Sequence, residues 1–276
     1  MELKLNTYKL SQIFIYPIKS LGGIALDQAV VQDRGLQYDR RWMLVDAQGQ
    51  FLTQRSLAHM ALLQVQLQSG GLTVIHRTRP ELPALAIPFE TENPNRLQVT
   101  VWEDTCEAVE VSAAANAWFS RALGLPCRLV FMPDDSHRQV DLAYARPGDI
   151  TSFSDGFPLL MVGEASLADL NGRLSQPVPV NRFRPNLVFS GGAPFEEDTW
   201  DHFHIGPHPF RGVKPSGRCV VTTIDQQTAH KGTEPLRTLA GYRQQGHKIL
   251  FGQNVLPLSA GHTLAIGDSI TVQSRY

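Results

Sequence analysis

The sequence predicts an α+β fold that is mainly β, arranged as barrel-like sheets with a few helices. Short apolar, β-branched runs recur between turns containing glycine or aspartate. Few segments space their apolar residues as a helix does. Apolar residues make up 42% and charged residues 18% of 276 residues, the composition of a globular chain with a sizeable core.

Leu10 to Tyr16 reads as the first strand and stops at Pro17. Ala25 to Gln32 reads as the second, followed by a turn at Asp33-Arg-Gly35. Arg41 to Asp46 is closed by Ala47-Gln-Gly49, and Phe51-Leu-Thr53 returns as its hairpin partner. Leu62 to Gln68 alternates apolar and polar residues, and Gly70-Gly71 turns it into Leu72 to His76. Leu97 to Trp102 and Cys106 to Val111 form a further pair. Ala113 to Leu123 has helical spacing and ends at Gly124. Glu164 to Leu174 and Glu234 to Arg243 are the other helices, Pro235 fitting a first turn. Between them the expected strands are Cys127 to Phe131, Asn186 to Ser190, Cys219 to Thr223 and Leu264 to Val272. A domain boundary is expected between residues 112 and 128.

Net charge is −1, which argues against a general electrostatic hold on nucleic acid or an anionic membrane. The three cysteines give no disulfide framework, no CxxC pair and no iron–sulfur ligand set. No apolar run is long enough to span a membrane, and the N-terminus lacks a signal-peptide stretch, so a cytoplasmic location is expected. There is no GxGxxG, Walker loop, GxSxG or zinc-spaced histidine set.

Three segments carry candidate chemistry. In Val213-Lys-Pro-Ser-Gly-Arg-Cys219, Cys219 follows Arg218, and Lys214 lies close in sequence. A neighbouring cation favours the thiolate, the form that ligates soft metals. Cys219 also suits a small buried apolar residue. Tyr16-Pro-Ile-Lys-Ser20 sets Lys19 and Ser20 after a strand, with Gly22 and Gly23 allowing close backbone approach; this suits a phosphate, or a plain surface turn. In Asn181-Arg-Phe-Arg-Pro-Asn186, an extended backbone puts Arg182 and Arg184 on one face, as an anion clamp or an exposed basic strand. Asp39-Arg-Arg-Trp42 adds Arg40, which suits a pocket or a surface salt bridge, and Ser154-Asp-Gly156 adds Asp155 on a turn.

Tyr16 to Ser20, Asp39 to Trp42, Gly163 to Asn171, Phe183 to Asn186, Phe195 to Trp200 and Arg218 to Asp225 together resemble the MOSC-domain family of molybdenum-cofactor proteins over nearly the whole chain. The likeness is to the subgroup with an N-terminal MOSC β-barrel-like domain, which includes the mitochondrial amidoxime-reducing components and their bacterial relatives. The resemblance implies an N-terminal domain over 1–124 packed on a MOSC β-barrel over 125–276, with molybdenum cofactor (molybdopterin) in the cleft between. It implies Cys219 as the molybdenum ligand and catalytic residue. Lys19, Ser20 and Arg40 then sit at the phosphate end, Arg184 and Asn186 contact the pterin, and Asp155 and Arg218 lie in the binding loops. Many relatives carry a cysteine where this chain has Ser216, which bears on any persulfide relay. The implied activity is reduction of small N-hydroxylated substrates: amidoximes, hydroxylamines and N-hydroxylated bases. The chain ends just after the barrel, so the electrons are expected from a separate ferredoxin- or flavin-type donor protein. The alternative from another class is a carrier of molybdenum cofactor or sulfur without turnover.

Overall fold

In the computed structural model, residues 7–90 and 94–276 are described. They are mainly β with three α-helices, Ala113–Leu123, Glu164–Arg173 and Leu236–Arg243. Seven strands close a barrel, in the order Leu159–Gly163, Leu187–Ser190, Tyr8–Ile15, Ser269–Val272, His202–Ile205, His208–Arg218 and Lys248–Pro257. The last pairs back antiparallel with the first, Leu160 opposite Asn254. Closure leaves the ring without free strand edges. Inward side chains fill it, among them Leu10, Ile13, Phe189, Trp200, Phe203 and Phe210.

The first barrel strand therefore comes from the N-terminus, ahead of the remaining barrel strands by well over a hundred residues. A second sheet joins Trp42–Val45, Arg128–Phe131, Asp104–Glu110 and Arg96–Val101. Strand pairing thus crosses a cut after residue 124 in both directions: Tyr8–Ile15 pairs with Leu187–Ser190, and Arg128–Phe131 pairs with Trp42–Val45. The core of this second unit packs Trp42, Leu44, Trp118, Phe119 and Leu129. Helix Ala113–Leu123 spans the expected residues because its signals are local. Ser112 accepts from the Ala115 N–H at the start, and Gly124 closes the end at φ 72°.

Three expected strands differ. Ala25 to Gln32 divides into Ile24–Leu26 on the barrel strand Tyr8–Ile15 and Gln28–Gln32 in another sheet. Leu264 to Val272 divides likewise, with positive φ at Gly267 turning the chain between sheets. Cys219 to Thr223 is no strand: Val220–Thr223 is a 3₁₀ turn. Thr222 bonds the Cys219 carbonyl through both N–H and hydroxyl, and the Thr223 hydroxyl bonds Val220, so local side-chain bonds override β-propensity.

Candidate active site

Pro17 ends the first barrel strand, and the next residues cross to the second unit, where Lys19 N–H bonds the Trp42 carbonyl. The crossing leaves a cleft that encloses roughly 930 Å³ of space, solvent at its open mouth included. Lys19, Ser20, Arg40, Asp155, Arg184, Asn186, Arg218 and Cys219 all line it. Sequence positions scattered over some two hundred residues therefore share one cavity.

Lys19 is 5% exposed, and its ammonium donates to the Phe153 carbonyl at 2.7 Å and the Asp155 carboxylate at 2.6 Å. Burial lowers Lys19 to about 8 against the pull of Asp155. Desolvation pulls the Asp155 carboxyl upward, yet the Lys19 charge and hydrogen bonds from Lys19 and Trp102 hold it well below the usual carboxylate range. Arg40 pairs with the buried Asp39 and donates to Asn186 Oδ1 at 2.9 Å and the Arg184 carbonyl at 3.2 Å. The Arg40 and Arg184 guanidiniums lie 4.5 and 4.1 Å from the centre of the Tyr16 ring, and Arg184 donates to the Leu21 carbonyl at 2.7 Å. Burial drops Arg184 to about 10 and raises the Tyr16 phenol to about 12. Asn186 further ties the walls together, donating to Phe14 O and accepting from Leu160 N–H.

The thiol joins the cleft from the end of strand His208–Arg218. This strand shifts register against Lys248–Pro257 between Pro215 and Gly217, and after this bulge the ladder runs on through Gly217 and Arg218 and stops just before Cys219. Cys219 is half-buried and lines the cleft. Arg218 turns its guanidinium to Ser216 Oγ at 3.0 Å and the Phe183 carbonyl at 2.7 Å, and its Nε is buried without a partner. Burial pushes Arg218 below its ordinary value.

Among the described residues, four of the seven non-glycine residues with positive φ line this cleft: Ser20 (67°), Arg40 (49°), Trp102 (58°) and Arg184 (55°). Such backbone is strained outside glycine and persists where its surroundings fix it, which is characteristic of ligand sites.

Three expectations are corrected. Arg184 is not extended, and Val180–Arg182 is a 3₁₀ turn, so Arg182 and Arg184 do not share a face. Arg182 points to the Thr222 carbonyl and Asp225, outside the cleft lining. Gly22 and Gly23 do not face the cavity: a Cβ on Gly23 would meet the Tyr16 ring at 2.4 Å, so this glycine lets the chain pack on Tyr16. Lys214 lies over the Tyr144 ring at 3.5 Å and is not among the residues lining the cleft with Cys219.

Residues 7–126 match the MOSC N-terminal beta barrel domain, and residues 149–271 match the MOSC domain. Mitochondrial amidoxime-reducing component 1 of Homo sapiens is 32% identical over 94% of this chain and 81% of its own length. This chain belongs to the MOSC family. The Mus musculus counterpart is 33% identical over 94% of this chain and 81% of its own length. The molybdenum cofactor sulfurase of Oryza sativa subsp. japonica is 33% identical over 88% of this chain, which spans only 32% of that protein.

Three further residues shape this MOSC cleft, and two of them carry no sequence signal of their role. Arg138, 5% exposed, donates to the carbonyls of Ser152, Ser154 and Asp155 and so shapes the loop that holds Lys19. Gln54, fully buried, donates to the Ser20 carbonyl and exchanges amide bonds with Gln226. Trp102, 37% exposed at a hairpin tip, is the one that sequence could have flagged, as a large aromatic residue in a turn.

Proposed function

We propose that this MOSC protein binds molybdenum cofactor in the cleft and reduces small N-hydroxylated compounds with electrons from a separate donor protein. The observation that carries the reading is one cavity lined by a half-buried thiol and by cations in excess of their carboxylates. The donor set fits such a group. A phosphate end suits Lys19, Ser20 and Arg40, and a planar polar ring suits Arg184 and Asn186. The unpartnered buried Nε of Arg218 awaits an acceptor beside the thiol. Cys219 offers one soft ligand, deprotonated when it binds metal.

When bound, the cofactor supplies the two-electron chemistry that converts an N–OH group and two protons to N–H and water. The chain's own work is holding and orientation. Lys19 and Arg40 are pre-set by Asp155 and Asp39, so anion binding there needs little rearrangement. The Tyr16 ring supports the guanidiniums of both Arg40 and Arg184, and Asn186 holds that of Arg40. The bulged strand end fixes the thiol. Human and mouse relatives named for amidoxime reduction support this substrate class.

The test is molybdenum analysis and pterin fluorescence on purified protein, with reduction of benzamidoxime by reduced methyl viologen. Stoichiometric molybdenum with turnover is expected. Loaded protein that leaves benzamidoxime untouched would refute the reductase. The likeness to the rice sulfurase favours a second reading, a cofactor or sulfur carrier. Cyanide-releasable sulfur on Cys219 without retained pterin is its signature.

A further inference from the structure

Among the described residues, five cationic side chains line the cleft: Lys19, Arg40, Arg55, Arg184 and Arg218. Four are engaged. Lys19 and Arg40 have carboxylates, and Arg184 and Arg218 have carbonyls or a hydroxyl. The Arg55 guanidinium has neither ion pair nor hydrogen bond to the described chain, and rests only on the Trp102 ring, 4.0 Å from its centre.

Its setting is nonetheless built. The Arg55 carbonyl accepts from Lys231 Nζ at 2.9 Å, and its neighbour Gln54 is locked to Ser20 and Gln226. Trp102 is held by its indole N–H on Asp155 at 3.2 Å, by the edge contact with Phe51 at 4.7 Å, and by a strained φ of 58°. Asp155 in turn pairs with Lys19, whose ammonium lies 5.3 Å from the centre of the Phe51 ring. Arg55, Trp102, Phe51, Asp155 and Lys19 are thus one contiguous surface. Anchored backbone and a pre-oriented ring fix a guanidinium whose donors face no protein acceptor. That arrangement suits a ligand oxyanion, because a planar fork binds phosphate or carboxylate bidentately and a stacked guanidinium loses little further freedom on binding.

We infer that Arg55 on Trp102 forms an oxyanion subsite at the rim of the cleft, one that takes a phosphate monoester or a carboxylate. The inference rests on the cleft being the ligand site proposed above. Two sources share this chemistry: the phosphate end of the bound cofactor, and an anionic substituent on the substrate.

Arg55→Gln separates them. Three quantities are read: pyrophosphate binding to cofactor-free protein by calorimetry, pterin retained through gel filtration, and KM for benzamidoxime against 4-carboxybenzamidoxime with reduced methyl viologen. A loss of about tenfold in pyrophosphate affinity together with lower pterin retention assigns the subsite to the cofactor. A raised KM confined to the carboxylated substrate assigns it to the substrate. Trp102→Phe keeps a ring but loses the bond to Asp155, and a smaller loss in the same arm is expected. An Arg55→Gln protein that folds with wild-type melting and matches wild type in all three readouts overturns the inference. Arg55-dependent pyrophosphate binding without any amidoxime turnover would count against the reductase reading alone.

Discussion

Two regions of the cleft lining hold their polar groups differently. The cationic wall is made of buried charges already neutralised or stacked: Lys19 on Asp155, Arg40 on Asp39, Arg184 on Tyr16, with left-handed backbone at Ser20, Arg40 and Arg184. The thiol lip is a strand end, bulged before Gly217 and followed by a 3₁₀ turn, with Val220 exposed beside Cys219. One region is held in place by ion pairs and ring contacts within the chain, and the other presents one half-buried thiol. Substitutions in the two regions should therefore fail in different ways, retention in the first and chemistry in the second.

The largest expected effect tests the lip. Cys219→Ala should reduce viologen-driven benzamidoxime turnover to background while pterin retention persists, because the cationic wall is untouched. Wild-type-like turnover would remove the thiol from the chemistry. On the wall, Lys19→Met deletes a charged hydrogen-bond donor and should weaken pyrophosphate binding by roughly 10–100-fold. Because the Asp155 side chain is 70% exposed, the carboxylate left behind is hydrated and the melting temperature should move little. A large melting shift with unchanged binding would make Lys19 a structural ion pair instead.

How much of this was legible follows the range of the interactions. Helix Ala113–Leu123 was readable because Ser112 and Gly124 act within one turn. The cleft residues were readable as short motifs, since Lys19 with Ser20 and Arg218 with Cys219 are neighbours in the chain. Arg182 was misplaced because its direction depends on a 3₁₀ turn that Pro185 does not reveal. Gln54 and Arg138 were silent because their partners lie 172 residues away in one case and in an irregular loop in the other. The barrel role of Tyr8–Ile15 was hidden for the same reason, as its neighbours lie far along the chain.

A pH series sharpens the description of the wall. Lys19 titrates near 8 in the folded protein, below its ordinary 10.5. Between those values the unfolded chain holds the extra proton, so the Lys19 contribution makes stability rise with pH there. Anion binding has the opposite sign. Above about 8 the empty cleft must take up a proton to bind, and pyrophosphate affinity should fall by as much as tenfold per pH unit. Lys19→Arg, which stays charged, should flatten the profile. A wild-type profile that is flat from pH 7.5 to 9.5 would mean that Lys19 does not meet the anion.

The smallest effect lies outside both regions and calibrates them. Ser112 caps helix Ala113–Leu123 by accepting from Ala115 N–H at 3.1 Å, in the core of the second unit and away from the cleft lining. Ser112→Ala leaves that donor without its cap and should cost about 1 kcal/mol. In a chain of this size that corresponds to a melting decrease of about 2–4 °C. Pyrophosphate affinity and viologen-driven turnover should stay at wild-type values. A fall in either, at so small a stability cost, would mean that the second unit transmits its packing to the cationic wall through Trp42, whose carbonyl holds Lys19 N–H and whose ring shares the core with Trp118. The wall would then be only as rigid as the helix behind it.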